Sequence, residues 1–237
     1  MLKLHQKDLM DTIYTVNIEV ITTADGSPTL LNGDIQEHYH SIHGAIQESN
    51  HVYISHGYLA LNPKADVAIL EIGFGTGLNA LLTYFSRPEG QTIHYSTLEP
   101  FPLPNGIVAM LRSQLKFDSN TLVFFDKLHS VDWNQNVEVQ SDFFLHKIPR
   151  KIQDVLLEPD TFDLIYFDAF SPRSQSELWT DEIFRKLFDS LKVGGILVTY
   201  CAKGSVKRTL NSCGFSVETL PGPPGKREMI RALKRSK

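Results

Sequence analysis

Cysteine is scarce in this sequence, which has Cys201 and Cys213 among 237 residues. Two thiols do not make the dense disulfide framework of small secreted domains, so a reducing, cytoplasmic compartment is predicted and both are read as core thiols. No apolar run reaches the length of a membrane span, and the N-terminus lacks the apolar core of a signal peptide. We therefore expect a cytoplasmic protein without a membrane partner.

Positively charged residues are outnumbered, because 23 Lys or Arg stand against 27 Asp or Glu and give a formal net charge of −4. This balance argues against indiscriminate binding to nucleic acid. The charge is uneven, however, since residues 203–237 carry nine Lys or Arg against two Glu. For residues 203–227 the sequence leaves two interpretations open, an electrostatic footprint for RNA phosphates and a solvated surface.

Glycine is concentrated at one informative place, the segment EIGFGTGLN at residues 71–79. An apolar run precedes it at 67–70, and an amphipathic helix pattern follows it. No Gly-Lys-Ser/Thr follows, which excludes a Walker A loop, and Leu78 breaks the G-x-G-x-x-G spacing of dinucleotide folds. The E-x-G-x-G-x-G spacing resembles that of class I methyltransferases that use S-adenosyl-L-methionine (SAM). The alternative is a glycine turn that binds nothing.

The predicted cofactor site follows from this loop. Glycine lets the backbone turn tightly and approach a ligand closely. Glu71 is expected to orient the loop and the aminoacyl end of SAM, and Glu99, at the end of the next strand, to accept hydrogen bonds from the ribose hydroxyls. No acid follows the third strand, so adenine recognition is left open. The predicted cofactor-binding residues are Glu71, Gly73, Gly75, Gly77, Asn79 and Glu99.

Strand and helix patterns alternate from residue 67 onward, which predicts a doubly wound α/β sheet. The expected fold is that of a class I SAM-dependent methyltransferase, Rossmann-like and mostly parallel, with a terminal antiparallel hairpin. Residues 1–64, with an alternating strand at 12–21, are predicted to form a β-rich N-terminal extension, and residues 65–237 the methyltransferase domain. Seven strands are expected, at 67–70, 92–98, 143–148, 162–167, 196–200, 215–220 and 228–233.

Asp168 is the predicted catalytic residue. It ends the apolar strand at 162–167, and ligands of open α/β sheets bind beyond the carboxyl ends of strands. A carboxylate there can hold an amine in line with the sulfonium methyl and accept its proton, which an ammonium must lose before it can attack. The alternative is an acid that caps the following loop.

Histidines cluster at His38, His40 and His43. No second ligand pair with metal-binding spacing accompanies them, and methyl transfer needs no metal. No metal site is expected.

Three further segments accompany the glycine loop: FDLIYFDAFSPRSQSELWT at 162–180, VTYCAKGSVKRTLNSCGF at 198–215 and GKREM at 225–229. In combination they resemble the methyltransferase domain of the bifunctional tRNA wobble-uridine enzyme MnmC, over about residues 34–233. The resemblance implies a SAM-dependent tRNA N-methyltransferase that acts on the primary amine of 5-aminomethyl(-2-thio)uridine in the anticodon. It also implies roles in acceptor binding for Phe170, Pro172, Trp179, Lys226 and Arg227.

Two alternatives and one departure qualify this resemblance. The bifunctional enzyme also has a flavin-dependent oxidase domain, which these 237 residues do not include, so a stand-alone form without FAD is expected. An aminopropyltransferase shares the glycine loop and the strand-end acids, although the basic region at 203–227 argues against a polycationic substrate. A non-catalytic SAM-binding partner of a modification enzyme is the other alternative. No oligomeric state is predicted.

Overall fold

A computed structural model describes residues 17–62 and 64–236, so the predicted strand at 12–21 lies partly outside the described residues. The first strands form a separate three-stranded antiparallel sheet: β1 (Ile18–Thr22), β2 (Pro28–Asn32) and β3 (Glu37–His38). Helix α1 (Ala45–Ser49) continues directly into a π-helical segment, Asn50–Ser55, and a 3₁₀ turn follows at Tyr58–Ala60. These segments share one hydrophobic core with the main sheet through side chains that include Leu30, Val52 and Tyr53.

Eight strands form the main sheet. They are β4 (Asp66–Ile72), β5 (Thr92–Leu98), β6 (Asn136–Gln140), β7 (Phe143–Ile148), β8 (Phe162–Phe167), β9 (Leu191–Thr199), β10 (Ser216–Pro221) and β11 (Glu228–Leu233). Their spatial order is β10, β11, β9, β8, β4, β5, β7, β6. The five strands from β9 to β7 are parallel, whereas β6 and the β10/β11 hairpin are antiparallel to their neighbours. The predicted fold class is confirmed.

Helices cover both faces of this sheet. They are α2 (Leu78–Ser86), α3 (Asn105–Gln114), α4 (Ser119–Ser130), α5 (Asp181–Ser190) and α6 (Gly204–Ser212). Side chains of α2, α3 and α4 pack on one face and those of α5 and α6 on the other. Strand β8 lies between these layers, and all six of its residues are buried, as expected of a central parallel strand. Within the described residues, no helix is long and apolar enough to cross a membrane.

The predicted number of strands was wrong, because the main sheet has eight rather than seven. Strand β6 was missed since its sequence, NVEVQ, is short and largely polar, and it is an edge strand that depends on antiparallel pairing with β7. Strand β9 also begins at Leu191 rather than at 196. Its pairing with β8 is irregular there, since the register shifts between Phe162 and Leu164.

The order of the strands determines where a ligand can bind. From β4 the chain continues to β5 and β7 on one side, and it then returns to add β8 and β9 on the other side. The direction therefore reverses between β4 and β8. In open α/β sheets a crevice forms at such a switch, beyond the carboxyl ends of the strands. Gly73 and Asp168 are the residues that follow these two strands directly.

Asp163 is a buried charge near the opposite, amino-terminal end of β8. Its carboxylate is fully buried, accepts a hydrogen bond from the Ala68 amide at 2.9 Å, and forms ion pairs with Lys64 and with Lys192, the latter at 2.9 Å. Burial alone would raise the pKa of Asp163, but these donors and cations hold the pKa below its ordinary value. The residue thus joins β8 to the segments before β4 and at the start of β9.

We expect Asp163→Ala to lower the free energy of unfolding by about 2–3 kcal/mol, because it leaves a buried amide and two ammonium groups without their acceptor. Asp126→Ala is the control, since Asp126 forms an exposed pair with Arg112 and should cost under about 1 kcal/mol. The lowered pKa means that the Asp163 contribution is present at neutral pH and is lost as the pH falls through the folded-state pKa. Denaturant titrations at neutral and acidic pH measure both effects, and equal costs for the two variants would contradict the assignment.

Candidate active site

A cleft of about 1230 Å³ opens beyond the carboxyl ends of the parallel strands, beside the switch between β4 and β8. The loops after β4, β5, β7 and β8 line it, together with residues 35–43 and two residues of the β10/β11 hairpin. The structure brings a subset of the predicted site residues into this lining: Gly73, Gly75, Asn79, Glu99, Asp168, Phe170 and Lys226. The remaining predicted residues lie outside it: Glu71, Gly77, Pro172, Trp179 and Arg227.

The glycine loop occupies residues 73–77 between β4 and α2. Gly73 has a φ of +94° and Gly75 a φ of +48°, and L side chains rarely adopt either conformation. Space is restricted as well, because a Cβ on Gly73 would lie 2.8 Å from the Asp168 carbonyl oxygen, and one on Gly75 would lie 3.1 Å from the Tyr39 ring. Gly77, also at positive φ, is the N-cap of α2. The loop therefore needs glycine for its conformation and for its contacts.

Glu99 follows β5 and is tied to the glycine loop. Its carboxylate accepts hydrogen bonds from the Gly75 amide at 3.1 Å and from the Phe101 amide at 2.9 Å. Desolvation raises the pKa of Glu99, although the backbone donors act in the opposite direction. The carboxylate lines the cleft next to the loop, which is the place that the sequence predicted for an acceptor of ribose hydroxyls.

Glu71 is fully buried beneath the glycine loop and does not line the cleft. Its Oε1 accepts a hydrogen bond from the Asn79 side-chain amide at 3.0 Å. Burial and the nearby Asp168 charge raise the pKa of Glu71 well above its ordinary value. Glu71 is thus connected to the cleft through Asn79, which does line it, and its contact with the aminoacyl end of SAM stays a prediction.

Asp168 lines the cleft directly after β8. Tyr53 donates a hydrogen bond to its Oδ1 at 2.5 Å, and the Asn79 amide, which also binds Glu71, donates to its Oδ2 at 2.8 Å. Desolvation raises the pKa of Asp168 to about 7, against the lowering effects of these donors and of Lys226. A carboxyl group with a pKa near neutrality is suited to accept a proton at neutral pH.

The predicted acceptor wall is only partly in the cleft. Phe170 lines it and packs edge-to-face against Tyr39, with ring centres 5.0 Å apart. Trp179 is buried behind this wall, where its Nε1 donates to the Phe170 carbonyl oxygen at 2.9 Å and its ring packs on Phe167. Pro172 lies in the same loop but outside the lining. The geometry gives Trp179 a supporting position and Phe170 an accessible one.

The two predicted RNA-binding residues have different surroundings. Lys226 lines the cleft, where its ammonium forms an ion pair with the buried Glu48 and lies 3.8 Å from the centre of the Tyr200 ring. Its charge therefore already has protein partners. Arg227 is exposed and lies outside the cleft lining. Of the two, Arg227 is the better placed to contact a phosphate.

Sequence reasoning missed the contribution of residues assigned to the N-terminal extension. Glu37 accepts hydrogen bonds from the Ser171 amide at 3.0 Å and from the Ser174 hydroxyl at 2.5 Å. Tyr39 contacts both the glycine loop and Phe170, and Tyr53 contacts Asp168. No motif in the sequence marks these residues, because each contact joins segments far apart in the chain.

Of the clustered histidines, His40 has hydroxyl groups as its neighbours. His40 is buried, with Nδ1 2.9 Å from the Thr29 hydroxyl and Nε2 3.4 Å from the Thr76 hydroxyl. Burial lowers the pKa of His40 to about 4, so the ring is neutral at physiological pH. Across residues 17–62 and 64–236, no group of three or more His, Cys, Asp or Glu side chains is arranged to hold a metal ion.

Comparisons with known proteins agree with this geometry. Residues 121–235 match the family of S-adenosyl-L-methionine-dependent methyltransferases. The tRNA 5-methylaminomethyl-2-thiouridine biosynthesis bifunctional protein MnmC is 30% identical to this chain in Pseudoalteromonas atlantica, over 94% of this chain and 34% of that protein. The Chromobacterium violaceum protein of that name is also 30% identical, over 86% and 33% respectively. The chain thus spans about a third of the length of these relatives.

Solved structures show the same fold. MnmC2 from Aquifex aeolicus aligns with a TM-score of 0.69 at 22% identity, covering 100% of this chain and 80% of its own. Spermidine synthase from Thermotoga maritima aligns with a TM-score of 0.58 at 15% identity, covering 92% and 69%. Together these comparisons bear out the resemblance predicted from the sequence: the chain is similar to SAM-dependent methyltransferases over residues 121–235 and to about a third of the length of the bifunctional MnmC proteins.

Proposed function

We propose that this chain transfers a methyl group from SAM to the primary amine of 5-aminomethyluridine, or of its 2-thio form, at the wobble position of tRNA. One observation carries the chemistry. Asp168, a carboxyl group with a pKa raised to about 7, directly abuts the glycine loop and opens into the same cleft. The choice of tRNA as substrate rests on the similarity to MnmC proteins, whose name refers to that nucleoside.

The residues of the cleft fit SAM. Gly73 and Gly75 present backbone without side chains to the cleft, and Glu99 provides carboxylate oxygens beside them, as a ribose requires. Bound SAM supplies an electrophilic methyl group on a sulfonium. We assign the loop, Glu99 and Asn79 to binding and orienting it, with Glu71 holding Asn79 from below.

The acceptor amine must be deprotonated, because an ammonium has no lone pair. In our proposal, Asp168 takes the proton from the nitrogen, whose lone pair then forms the new bond to the methyl carbon. The electrons of the broken carbon–sulfur bond stay on sulfur, and the proton passes from Asp168 to solvent. Phe170 stands on the same side of the cleft and offers an aromatic surface to the uracil ring. A wobble base that is turned out of the anticodon stack can reach such a wall.

Exposed cations line the cleft or lie beside it. Arg150 and Lys151 are exposed at the cleft, and Arg227 is exposed on the hairpin beside Lys226. Lys and Arg that neutralise phosphates dominate binding to nucleic acids, so these side chains are the proposed tRNA contacts. A tRNA substrate and free cysteines are both consistent with action in the cytoplasm.

An aminopropyltransferase is disfavoured by the same cleft. Spermidine synthase shares the fold, but a similarity at 15% identity shows the fold alone. A polyamine site needs several free carboxylates, and two of the acids that line the cleft already have partners: Glu37 binds Ser171 and Ser174, and Glu48 is paired with Lys226. The ammonium of Lys226 would also repel a polycation at the cleft wall.

Arg227→Ala should weaken tRNA binding and reduce the slope of log affinity against log salt by about one, because one phosphate contact is lost. Lys226→Ala should change the slope less, since its charge is paired with Glu48. The control is Arg112→Ala, which removes an exposed arginine outside the cleft. Binding over a salt series measures the three slopes. If Arg227→Ala and the control have the same slope, the hairpin is not a tRNA contact.

Nucleoside analysis of bulk tRNA tests the proposed reaction in the cell. A strain that lacks this gene should accumulate the 5-aminomethyl nucleoside at the expense of its N-methylated product, and the wild-type gene should restore the product. An unchanged nucleoside profile would show that this tRNA is not the substrate, and a changed polyamine pool would then favour the aminopropyltransferase.

A further inference from the structure

Tyr53 lies outside the cleft yet touches the group at the centre of the proposed chemistry. Its side chain is 1% exposed, and its hydroxyl donates a hydrogen bond to Asp168 Oδ1 at 2.5 Å. It does not line the cleft, so a substrate would not touch it. The ring is fixed from the other side by Tyr166, with ring centres 5.2 Å apart. A donor held in this way determines both the direction of the Asp168 carboxylate and the stability of its ionised form.

The backbone around Tyr53 is unusual. Tyr53 lies within the π-helical segment Asn50–Ser55, and π-helical turns are rare and are found frequently at functional sites. Close packing fixes this segment, because a Cβ on Gly57 would lie 2.5 Å from the Tyr53 carbonyl oxygen and 3.0 Å from a Val198 methyl group. The segment is therefore pressed against β8 and β9, and it delivers the tyrosine hydroxyl to the end of β8.

From this geometry we infer that Tyr53 is the positioning residue of the methyl-transfer site: it donates to Asp168, turns the free lone pairs of the carboxylate toward the acceptor amine, and favours the ionised form that accepts the proton. This inference rests on the proposed function of Asp168. It extends the catalytic unit beyond the strand ends of the main sheet, to a residue 115 positions earlier in the chain.

Other groups near Asp168 also affect the ionisation of its carboxyl group. Desolvation is the main cause of its raised pKa, and the Glu48 charge adds to it, whereas Lys226 and the Asn79 amide act in the opposite direction. Glu71 lies on the far side of Asn79, and Tyr200 lies at the cleft wall. Tyr53 remains a donor throughout the working range, because burial and the Asp168 charge raise its own pKa well above the ordinary value.

The test is Tyr53→Phe, which removes the hydroxyl and keeps the ring. Loss of a hydrogen bond to an ionised carboxylate should raise the Asp168 pKa by about one unit, so the acid limb of the pH–rate profile should move up by about one pH unit. The rate of single-turnover methyl transfer should fall about fivefold at pH 7 and recover toward the wild-type rate at pH 9. SAM affinity and the KM for tRNA should stay unchanged, because Tyr53 lines neither site.

Tyr166→Phe is the matched control. Tyr166 is also fully buried, but its hydroxyl binds Thr83 at 3.0 Å and not Asp168. The Tyr166→Phe variant should be less stable than the wild type, but its pH–rate profile should not shift. Equal profiles for both variants and the wild type would overturn the inference and leave Tyr53 as a packing residue.

A carboxyl ¹³C NMR titration of Asp168 in the free protein separates this inference from the proposed function, since it needs no substrate. The Asp168 pKa should rise in Tyr53→Phe and stay in place in Tyr166→Phe. An unmoved pKa would overturn the role of Tyr53 even if the wild type methylates tRNA. If the Asp168 pKa rises in Tyr53→Phe but the wild type methylates no tRNA, the proposed function is refuted instead.

Discussion

Replacing Asp168 by asparagine should lower the rate of methyl transfer by about 100- to 10,000-fold, the range typical of a lost general base. Asparagine has nearly the same shape but cannot take a proton from the acceptor ammonium, and it can no longer accept hydrogen bonds from both Tyr53 and Asn79. SAM affinity should change by less than about threefold, because the glycine loop and Glu99 are retained.

Single-turnover rates with saturating SAM and tRNA, measured across pH, provide the readout. In the wild type the rate should rise with pH through about 7, as the carboxyl group of Asp168 loses its proton. This dependence should be absent in the variant. Asp126→Asn, an exposed acid remote from the cleft lining, controls for the charge change. A variant with full activity would remove Asp168 from the mechanism, and an equal loss of SAM binding and rate would make it a cofactor-binding residue.

Gly75→Val should weaken SAM binding by at least about tenfold. A β-branched residue is strained at a φ of +48°, and its Cβ would lie 3.1 Å from the ring of Tyr39, which lines the cleft. The added side chain would force Tyr39 or the loop backbone to shift, and either shift alters the lining that the cofactor would contact. Calorimetric titration with SAM measures the affinity, and thermal unfolding shows whether the variant still unfolds cooperatively.

Gly90→Val is the matched control for backbone strain. Gly90 has a φ of +77°, and a Cβ there would have nothing within 4 Å. It should therefore lose stability to a similar extent but bind SAM normally. If Gly75→Val bound SAM as tightly as Gly90→Val, the glycine loop would not be the cofactor site.

The strands of the main sheet were largely predictable because most are apolar runs buried between two layers of helices. The predicted bounds of β5, β7, β8 and β11 agree with the structure to the residue. Edge strand β6 was not predicted, because three of its five residues are polar and its pairing with β7 is a tertiary contact. No helices were assigned at α3 and α4. A signal was present for α4, since Asp118 caps it by accepting hydrogen bonds from the amides of Asn120 and Thr121.

The candidate site divides in the same way. Residues that belong to a local motif, such as Gly73, Gly75 and Asp168, were identified because strand, turn and strand end are adjacent in sequence. Residues that reach the site across the fold were not. Tyr53 is 115 residues from Asp168, and Glu37 is 134 residues from Ser171. Only the packing of the N-terminal segments on the sheet brings these pairs together. The hydrophobic periodicity of the sequence gives no sign of such packing.

The most direct test of the proposed methyl transfer is a reaction of the purified chain with methyl-labelled SAM and a tRNA that carries 5-aminomethyluridine at the wobble position. Nucleosides from the digested tRNA are then separated and identified by mass spectrometry. The proposal predicts one labelled methyl group on the amine of that nucleoside, formed in equal amount to S-adenosylhomocysteine, and no label on tRNA that lacks the aminomethyl group. Tight binding of SAM without any labelled nucleoside would contradict it, and would leave the chain as a SAM-binding protein with another acceptor or none.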